Sequence, residues 1–446
     1  MKKILLCFCM LSMLSCKKFL DVRSDESMFT PAALEDLQSI LDDNSVMNLQ
    51  TPSMTEVSAD DYFITDEMFA SIPNEQDVYT WNRIVYNYEN DWSRTYNVIY
   101  NANLCLERSA AIRKDNYNTD KLNNVVGSAL FFRGYSFLNL CWTFAKAYDP
   151  EQSKADLGIA IREQTDLNIP SIRSSAFEGY QAAVEDLRQS AAYLPDQPAL
   201  PTRPSKTAAY GMLARAFLSM REYDSAYKYV SLCLELHNDI LDYNSGEINS
   251  GNIPFASYPY NQEVIFYSVM SNSFSFKAPN RALIDTILYK EYSDADKRKE
   301  IFFRPNNGYQ RFKGSYAAHT TSLFTGLATD EMLLIKSECE ARNGKANEAM
   351  NSLNTLLINR YETGSFSPVT AADAEDAVNK ILLERRKELL MRGIRWSDIK
   401  RLNKEGRDIH LYREVAGNSY NLPPNDDRYA LQLPDDIIKI TGMPQN

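Results

Sequence analysis

Pairs of adjacent carboxylates are the residues of this 446-residue chain with the clearest catalytic potential. Two carboxylates placed on either side of a glycosidic bond can hydrolyse it. Acids that are neighbours in sequence point in different directions, however, and such pairs are usually solvated turns. The pairs are Asp42–Asp43, Asp60–Asp61, Asp426–Asp427 and Asp435–Asp436. Because nucleophile-elbow, phosphate-loop and zinc-protease motifs are also missing from the sequence, we predict no catalytic residues and no enzymatic activity.

Aromatic rings beside Asp, Asn or Arg are better suited to binding than to catalysis. A sugar ring stacks its apolar face on an aromatic ring, while its hydroxyls need donors and acceptors beside that ring. Three such clusters lie in segments without helical periodicity, and we predict that they form a ligand-binding face. The predicted ligand-binding residues are Asp60, Asp61, Tyr62, Tyr79, Trp81, Tyr258, Tyr260, Phe274, Tyr309 and Phe312. The alternative for each ring is that it only covers the helical body.

Composition excludes other classes of function. The chain carries a net charge of −11 and has no basic patch of more than a few residues, so nucleic acid is not expected as a partner. Its three histidines are scattered and its cysteines lack metal-ligand spacing, so we predict neither a metal site nor a cofactor. Cys105, Cys141, Cys233 and Cys339 each lie alone in an apolar helical pattern, which predicts buried thiols without disulfides.

The elements that must position the clusters are amphipathic helices in pairs. Residues 329–342 and 346–357 each carry apolar or small side chains three and four positions apart, and Asn343–Gly344 separates the two stripes. This is the pattern of a tetratricopeptide-type hairpin. We predict further pairs within 91–236, so that the repeats occupy about 91–236 and 329–402. An array of three or more such units can bury a continuous core.

Two segments interrupt the helical period. Residues 51–82 are rich in rings and carboxylates, and residues 246–328 contain glycines, prolines and short alternating runs. Long segments without repeats inside a compact repeat body are usually functional. We therefore predict that 51–82 and 246–328 are the ligand-face inserts of a single unit spanning 30–446.

The amino terminus has the features of a secretory signal. Lys2–Lys3 precede an eleven-residue apolar run that is too short to span a membrane. The residues Leu14-Ser15-Cys16 resemble the end of a bacterial lipobox, which predicts a signal peptide over 1–16, lipidation of Cys16 and a tether over 17–29. Ordinary signal cleavage is the alternative.

The carboxy-terminal third carries a more specific pattern. Read alone, the run Glu-Arg-Arg-Lys-Glu-Leu at 384–389 is most typical of a solvated helix face. The ordered set that includes it resembles the carboxy-terminal signature of the SusD/RagB family of outer-membrane lipoproteins. The residues that carry the resemblance are Leu334, Glu338, Glu340, Ala341, Arg342, Gly344, Ala349, Leu353, Asn354, Arg360, Glu384, Arg385, Glu388, Leu389, Gly393, Arg395, Trp396, Asp398 and Arg401. Residues 19–21, 129–148 and 433–446 also resemble family patterns.

The resemblance implies a fold and a role. The expected fold is mainly α, with a tetratricopeptide-like helical-repeat body and a mixed, loop-rich ligand-binding insert. The expected role is that of a lipid-anchored, outward-facing outer-membrane protein. It would bind a nutrient, an oligosaccharide in the first instance, and deliver it to a SusC-like TonB-dependent barrel. Two alternatives stay open: a RagB-like protein that captures a peptide, or a tetratricopeptide scaffold of the envelope without a small-molecule ligand.

Overall fold

The chain folds mainly as α-helices in the computed structural model, which describes residues 33–255 and 260–446. The helices are α1 (Leu34–Leu41), α2 (Asn44–Met47), α3 (Met54–Ser58), α4 (Asp66–Ser71), α5 (Pro73–Tyr79), α6 (Asp91–Ala110), α7 (Thr119–Phe144), α8 (Ala176–Tyr193), α9 (Lys206–Met220), α10 (Tyr223–Leu236), α11 (Thr286–Lys290), α12 (Arg298–Ile301), α13 (Thr329–Arg342), α14 (Ala346–Leu357), α15 (Ala374–Glu388), α16 (Arg395–Asn403) and α17 (Asp435–Thr441). The predicted mainly α fold class is confirmed.

The strands form small two-stranded sheets. They are β1 (Tyr62–Phe63), β2 (Leu157–Ala160), β3 (Arg173–Ser175), β4 (Val264–Phe266), β5 (Leu283–Ile284), β6 (Phe303–Asn306), β7 (Tyr309–Phe312), β8 (Leu327–Ala328), β9 (Leu411–Val415) and β10 (Asn418–Leu422). All pairings are antiparallel: β1 with β5, β2 with β3, β4 with β8, β6 with β7, and β9 with β10.

Consecutive long helices pack against one another as the repeat pattern predicts. The neighbouring pairs are α6–α7, α7–α8, α9–α10 and α13–α14, and α13 also packs on α10 and α15. Close approach of α7 and α8 requires a glycine, because a Cβ at Gly134 would lie 2.9 Å from the backbone oxygen of Ala183. Gly344 has a φ of +76° in the turn between α13 and α14, as expected for a helix-ending glycine. In the described ranges, no helix is both long and apolar enough to cross a membrane.

The prediction of four buried cysteines without disulfides is confirmed for the described residues. Cys105, Cys141, Cys233 and Cys339 are free thiols in the core. Burial raises the pKa of Cys141 to about 12, so this thiol stays protonated at neutral pH. These side chains therefore pack as small hydrophobic groups.

The segment 51–82, which lacks helical periodicity in the sequence, contains four short elements rather than only irregular surface. They are α3, β1, α4 and α5, each seven residues long or shorter. Local signals start two of them: the Thr65 hydroxyl accepts a hydrogen bond from the Met68 amide, and Pro73 occupies the first turn of α5. Helices this short show no readable period, because they complete no more than two turns.

A buried ionic cluster joins the 246–328 insert to the repeats. The Glu388 carboxylate at the end of α15 accepts hydrogen bonds from Arg360 Nε at 2.7 Å and from Arg298 Nη1 at 2.9 Å. Arg360 also binds Glu263 at 2.7 Å, and Arg298 binds Asp296 at 2.7 Å. All five side chains are fully buried. Burial raises the pKa of Glu388, but the two arginines outweigh it and lower the pKa, which keeps the carboxylate ionised.

The ionic cluster gives the first testable prediction. The Arg360→Ala variant leaves the Glu263 and Glu388 carboxylates buried with fewer partners, and we expect it to lower the free energy of unfolding by about 3–5 kcal/mol. The matched control is Lys121→Ala, which breaks an ion pair with Glu35 whose side chains are 67% and 68% exposed. That loss should stay below about 1 kcal/mol. Urea unfolding followed by circular dichroism measures both, and equal losses would contradict the assignment.

Candidate ligand-binding groove

The predicted carboxylates Asp60 and Asp61 follow α3 and are held by arginines. Arg395 donates to both oxygens of Asp60, at 2.7 and 2.9 Å, and Arg386 Nε donates to Asp61 at 2.9 Å. The side chains of Asp60 and Asp61 are 25% and 2% exposed. Burial raises the pKa of Asp60, but Arg395 and Arg386 more than offset this and hold the pKa below its usual range. The pair is therefore an internal ion-pair cluster and not a solvated turn.

The predicted rings nearest to these acids lie in the core. Tyr62, Tyr79 and Trp81 are 2–3% exposed. The Arg413 guanidinium lies 3.6 Å from the ring centre of Tyr79 and 4.7 Å from that of Trp81, which covers their faces. Trp81 Nε1 donates to the Ser58 carbonyl at 2.9 Å. The expectation that these rings lie on an open face is wrong, because a cation supplied from distant sequence fills the space where a ligand would stack.

Because Trp81 is buried, its substitution would change the stability of the fold as well as any contact with a ligand. Replacing a buried tryptophan by alanine removes core contacts and typically costs about 3–5 kcal/mol of stability. Loss of ligand binding in Trp81→Ala could therefore reflect unfolding. That variant does not test ligand contact.

The remaining predicted residues are divided between core and surface. Phe274 and Phe312 are buried at 6% and 3% exposure, so their placement on an open face is wrong as well. Tyr260 is half-buried, with its ring centre 5.7 Å from that of Tyr267. Tyr309 is 43% exposed. Tyr258 lies outside the described residues. Ligand contact by the accessible members of this set stays a prediction.

A groove open to solvent lies instead along α6. It consists of two adjoining hollows of about 650 and 730 Å³ that share Tyr100 and Leu167. We call it the α6 groove. The polar and aromatic side chains of its lining are Ser45, Gln50, Tyr88, Glu89, Trp92, Ser93, Arg94, Tyr96, Asn97, Tyr100, Asn103, Arg162, Gln164, Ser171 and Thr441. Each hollow falls in the size range of small-molecule sites, about 300–1,000 Å³.

The helix α6 places three rings in a row. Trp92, Tyr96 and Tyr100 are spaced four residues apart, which puts them on one face of a helix. The ring centres of Trp92 and Tyr96 are 4.6 Å apart. The start of the helix is fixed because the buried Asp91 carboxylate accepts the Ser53 amide at 2.7 Å and the Met54 amide at 2.8 Å. The row is therefore built on a rigid element.

The segment 160–171 forms the opposite side of the groove. The Tyr96 hydroxyl donates to the Ala160 carbonyl at 2.7 Å and accepts from the Ala160 amide at 3.0 Å. Arg162 donates to the carbonyls of Ile169 and Asp166, at 2.5 and 2.6 Å, and so holds the loop in place. These contacts fix the segment 160–171 beside α6.

Sequence reasoning missed most of the groove. The insert boundary at residue 82 excluded Tyr88, which is 82% exposed, and residues from 91 onward were assigned to a repeat helix. Tyr100 is 40% exposed although it follows the helical period of the core. One signal was available. Trp92, Ile99 and Asn103 already supply a buried stripe, so a further large side chain at position 100 makes the stripe wider than one helix face needs.

Glu56 is a buried acid near the Asp60–Asp61 cluster. Its hydrogen bonding is incomplete among the described residues. One of its carboxylate oxygens accepts the Gly393 amide at 2.8 Å, while the other is buried with no hydrogen-bond partner among the described residues. Burial, together with the nearby charge of Asp61, raises the pKa of Glu56 to about 8. Glu56 is therefore a buried acid that favours its neutral form.

Comparison with known proteins gives the family. The family described as "SusD-like_3: Starch-binding associating with outer membrane" matches residues 18–218, and the one described as "SusD family" matches residues 327–441. SusD-like protein P2 of Formosa agariphila is 24% identical over 422 residues, covering 80% of this chain and 79% of the relative.

Solved structures share the fold. A SusD superfamily protein of Bacteroides thetaiotaomicron aligns with a TM-score of 0.74 at 20% identity, covering 93% of this chain and 99% of that chain. A laminarin-binding SusD-like protein aligns with a TM-score of 0.67 at 15% identity, covering 92% and 97%. The stacked helices, the insert joined to them by the buried ionic cluster and the open groove define a helical-repeat protein with a groove on its surface. The chain belongs to the SusD/RagB family.

The raised pKa of Glu56 gives the second prediction. The folded state keeps its proton up to about pH 8, whereas an unfolded Glu loses it near 4.5. The stability that this proton contributes is present at low pH and is lost as pH rises from about 4.5 to 8. In Glu56→Gln this loss disappears, so between pH 5 and 8 the variant should gain stability relative to the parent, by a few kcal/mol at most.

Unfolding midpoints in urea across this pH range measure the difference. The exposed Glu348→Gln variant is the matched control and should follow the parent at every pH. If Glu56→Gln also follows the parent, then Glu56 is ionised in the folded protein and the inference is wrong.

Proposed function

We propose that this protein binds an oligosaccharide at the outer membrane and delivers it to a SusC-like TonB-dependent barrel. The observation that carries the proposal is the α6 groove, which is open to solvent and presents two exposed rings. Tyr100 and Tyr88, at 40% and 82% exposure, offer ring faces, and Asn97 is exposed beside them. Rings of this kind stack on the apolar faces of sugars, and the amides and guanidinium groups nearby can bond to hydroxyls.

The size of the groove fits an extended ligand better than a single sugar. Its two hollows together offer about twice the volume of a typical small-ligand site. The family description names starch, and one protein of the same fold binds laminarin. Both are neutral glucans, so a glucan-type oligosaccharide is the first ligand class to test.

The structure also supports binding rather than hydrolysis. The acid pair Asp60–Asp61 is engaged by Arg386 and Arg395, so neither carboxylate is free to protonate a leaving group or activate water. Asp435 pairs with Arg83 at 3.1 Å, and Asp42 pairs with Arg203 at 2.5 Å. The protein is proposed to capture its ligand reversibly, without chemistry.

The anchor is part of the proposal. Lipidation of Cys16, the signal peptide over 1–16 and the tether over 17–29 lie outside the described residues and stay predictions. A lipid chain on Cys16 followed by a tether would hold the folded body at the membrane without a spanning helix. The outward orientation and the SusC-like partner are proposed because the chain resembles the SusD/RagB family.

Substitutions in the α6 groove give the third prediction. Tyr100→Ala and Tyr88→Ala each remove one exposed ring and should weaken binding to a retained glucan about fivefold, the effect of losing roughly 1 kcal/mol of ring contact. Native gels containing laminarin or starch measure the affinity through retardation of the band. Because both rings are partly exposed, folding should be unaffected.

Tyr117→Ala is the matched control, since Tyr117 is 96% exposed and lies outside the groove. It should be retarded like the parent. Equal retardation of all three variants would show that the groove is not the site. If no glycan in a broad panel retards the parent, the oligosaccharide assignment is wrong and a peptide ligand, as in a RagB-like protein, is the next hypothesis.

Labelling of Cys16 gives the fourth prediction. The parent should incorporate palmitate and co-purify with a large barrel protein from outer membranes, while Cys16→Ser should incorporate none. Ser24→Ala, in the tether, is the control and should be labelled like the parent. If the parent protein incorporates no palmitate, the proposed lipid anchor is wrong. If the parent protein is labelled but no barrel protein co-purifies with it, the proposed transporter partner is wrong.

A further inference from the structure

The hairpin β6–β7 has a fixed register that separates a core face from an outer face. Its pairs run from Phe303 with Phe312, through Arg304 with Arg311, to the pair that flanks the two-residue turn Asn307–Gly308. Both turn residues have positive φ, +48° and +85°, as the tight turns of two-residue hairpins require. The register is therefore set by the turn.

The two faces of the hairpin have different chemistry. Side chains of directly opposed residues project to the same side of an antiparallel pair, and successive residues alternate. Phe303 and Phe312 are buried at 4% and 3% exposure and form the core face. Arg304 and Arg311 are both half-buried on the other side. Two positive charges are thus held opposite each other on the outer face.

Within the part of the chain that the structure describes, this arginine pair has no acidic partner. Neither guanidinium forms an ion pair or a hydrogen bond with any residue in the ranges 33–255 and 260–446, and Arg311 Nε is buried without a partner there. Burial and the neighbouring Arg304 both lower the pKa of Arg311. Like charges directly opposite each other destabilise a strand pair. The arrangement is electrostatically costly unless an anion lies between the two groups.

The surroundings of the pair add cations rather than carboxylates. Lys313 follows Arg311 by two positions, on the same side of the strand, and its amine donates to the Ser250 carbonyl. Burial lowers the pKa of Lys313, the nearby Arg304 lowers it further, and Glu300 acts in the opposite direction. Glu300 is itself paired with Lys297 at 2.7 Å. A local excess of positive charge therefore stands out on a chain whose net charge is −11.

An aromatic ring and an amide complete the outer face. Asn306 and Tyr309 are paired two positions from the arginines and project to the same side. The Tyr309 ring is 43% exposed and packs edge-on against Phe63, with ring centres 5.2 Å apart. That contact supports the ring while leaving part of it accessible. Paired guanidinium groups bind oxyanions through charge-assisted hydrogen bonds, and the ring can stack on a sugar.

We propose that the outer face of the β6–β7 hairpin is a binding site for an acidic saccharide, in which Arg304 and Arg311 hold a carboxylate or sulfate oxyanion and Tyr309 contacts the sugar ring. The site shares no residue with the α6 groove. Its preference for a saccharide rests on the glycan-binding function proposed above, whereas its preference for an oxyanion rests on the arginine pair alone.

Titration calorimetry of the purified protein tests the site, with oligogalacturonate, dextran sulfate and unsulfated dextran as probes. At least one acidic probe should bind more tightly than dextran. The double variant Arg304→Gln/Arg311→Gln should weaken that binding by roughly tenfold or more, the loss expected for charge-assisted hydrogen bonds. Its melting temperature should not fall, because two opposed like charges have been removed. Tighter binding of oligogalacturonate identifies a carboxylate, and tighter binding of dextran sulfate identifies a sulfate ester.

The matched control is Arg108→Gln/Arg113→Gln, which removes the same charge from two exposed arginines away from the hairpin. It should bind the acidic probes as the parent does. Equal weakening in both double variants would show general charge attraction and overturn the site, as would failure of both acidic probes to bind. Poly-glutamate that binds as tightly as the acidic saccharides would overturn the saccharide assignment.

The groove variant Tyr100→Ala separates this proposal from the previous one. It should lose affinity for a neutral glucan while keeping its affinity for the acidic probe. If neutral glucans bind and acidic probes add nothing, the hairpin site is wrong and the α6 groove stands. If acidic probes bind through the hairpin and no neutral glucan binds, the groove proposal fails alone.

Discussion

The Glu388 carboxylate, shared between the guanidinium groups of Arg298 and Arg360, is the contact on which the rest of the structure depends. It is fully buried, and a buried charge is tolerated only when partners and hydrogen bonds replace water. Arg298 comes from the 246–328 insert, whereas Glu388 and Arg360 belong to the repeats. Because removing either arginine leaves buried carboxylates with fewer partners, the insert and the helical body are held as one unit.

Both proposed binding surfaces lie on the exterior of a rigid helical body. The α6 groove uses one face of a long helix, and its start is fixed by the buried Asp91. The hairpin β6–β7 packs its phenylalanines inward and leaves its arginines outward. Neither surface needs a loop to become ordered before a ligand arrives, so less conformational entropy is lost on binding. Within one family fold, such surfaces can change residue by residue without changing the helices beneath them.

Much of the fold could be predicted from the sequence because it follows from local patterns. The amphipathic stripes, the Gly344 turn and the buried cysteines all depend on residues near one another in the chain, and each was confirmed. The candidate site was predicted less well. Trp81 and Tyr79 were expected on the surface, but Arg413, more than 300 residues away, covers both rings. Residue type alone does not reveal which distant side chain will fill the adjacent space.

What the sequence determined by itself was the helical-repeat architecture and the resemblance to the SusD/RagB family, because periodicity and ordered motifs are properties of the chain. What only the tertiary structure decided was exposure. The run at 384–389, typical of a solvated helix face, holds Arg385, Lys387 and Glu388 at 1–2% exposure. Tyr100 follows a core period and yet lines an open groove. Burial depends on which elements pack together across the fold, and long-range packing leaves no local signal.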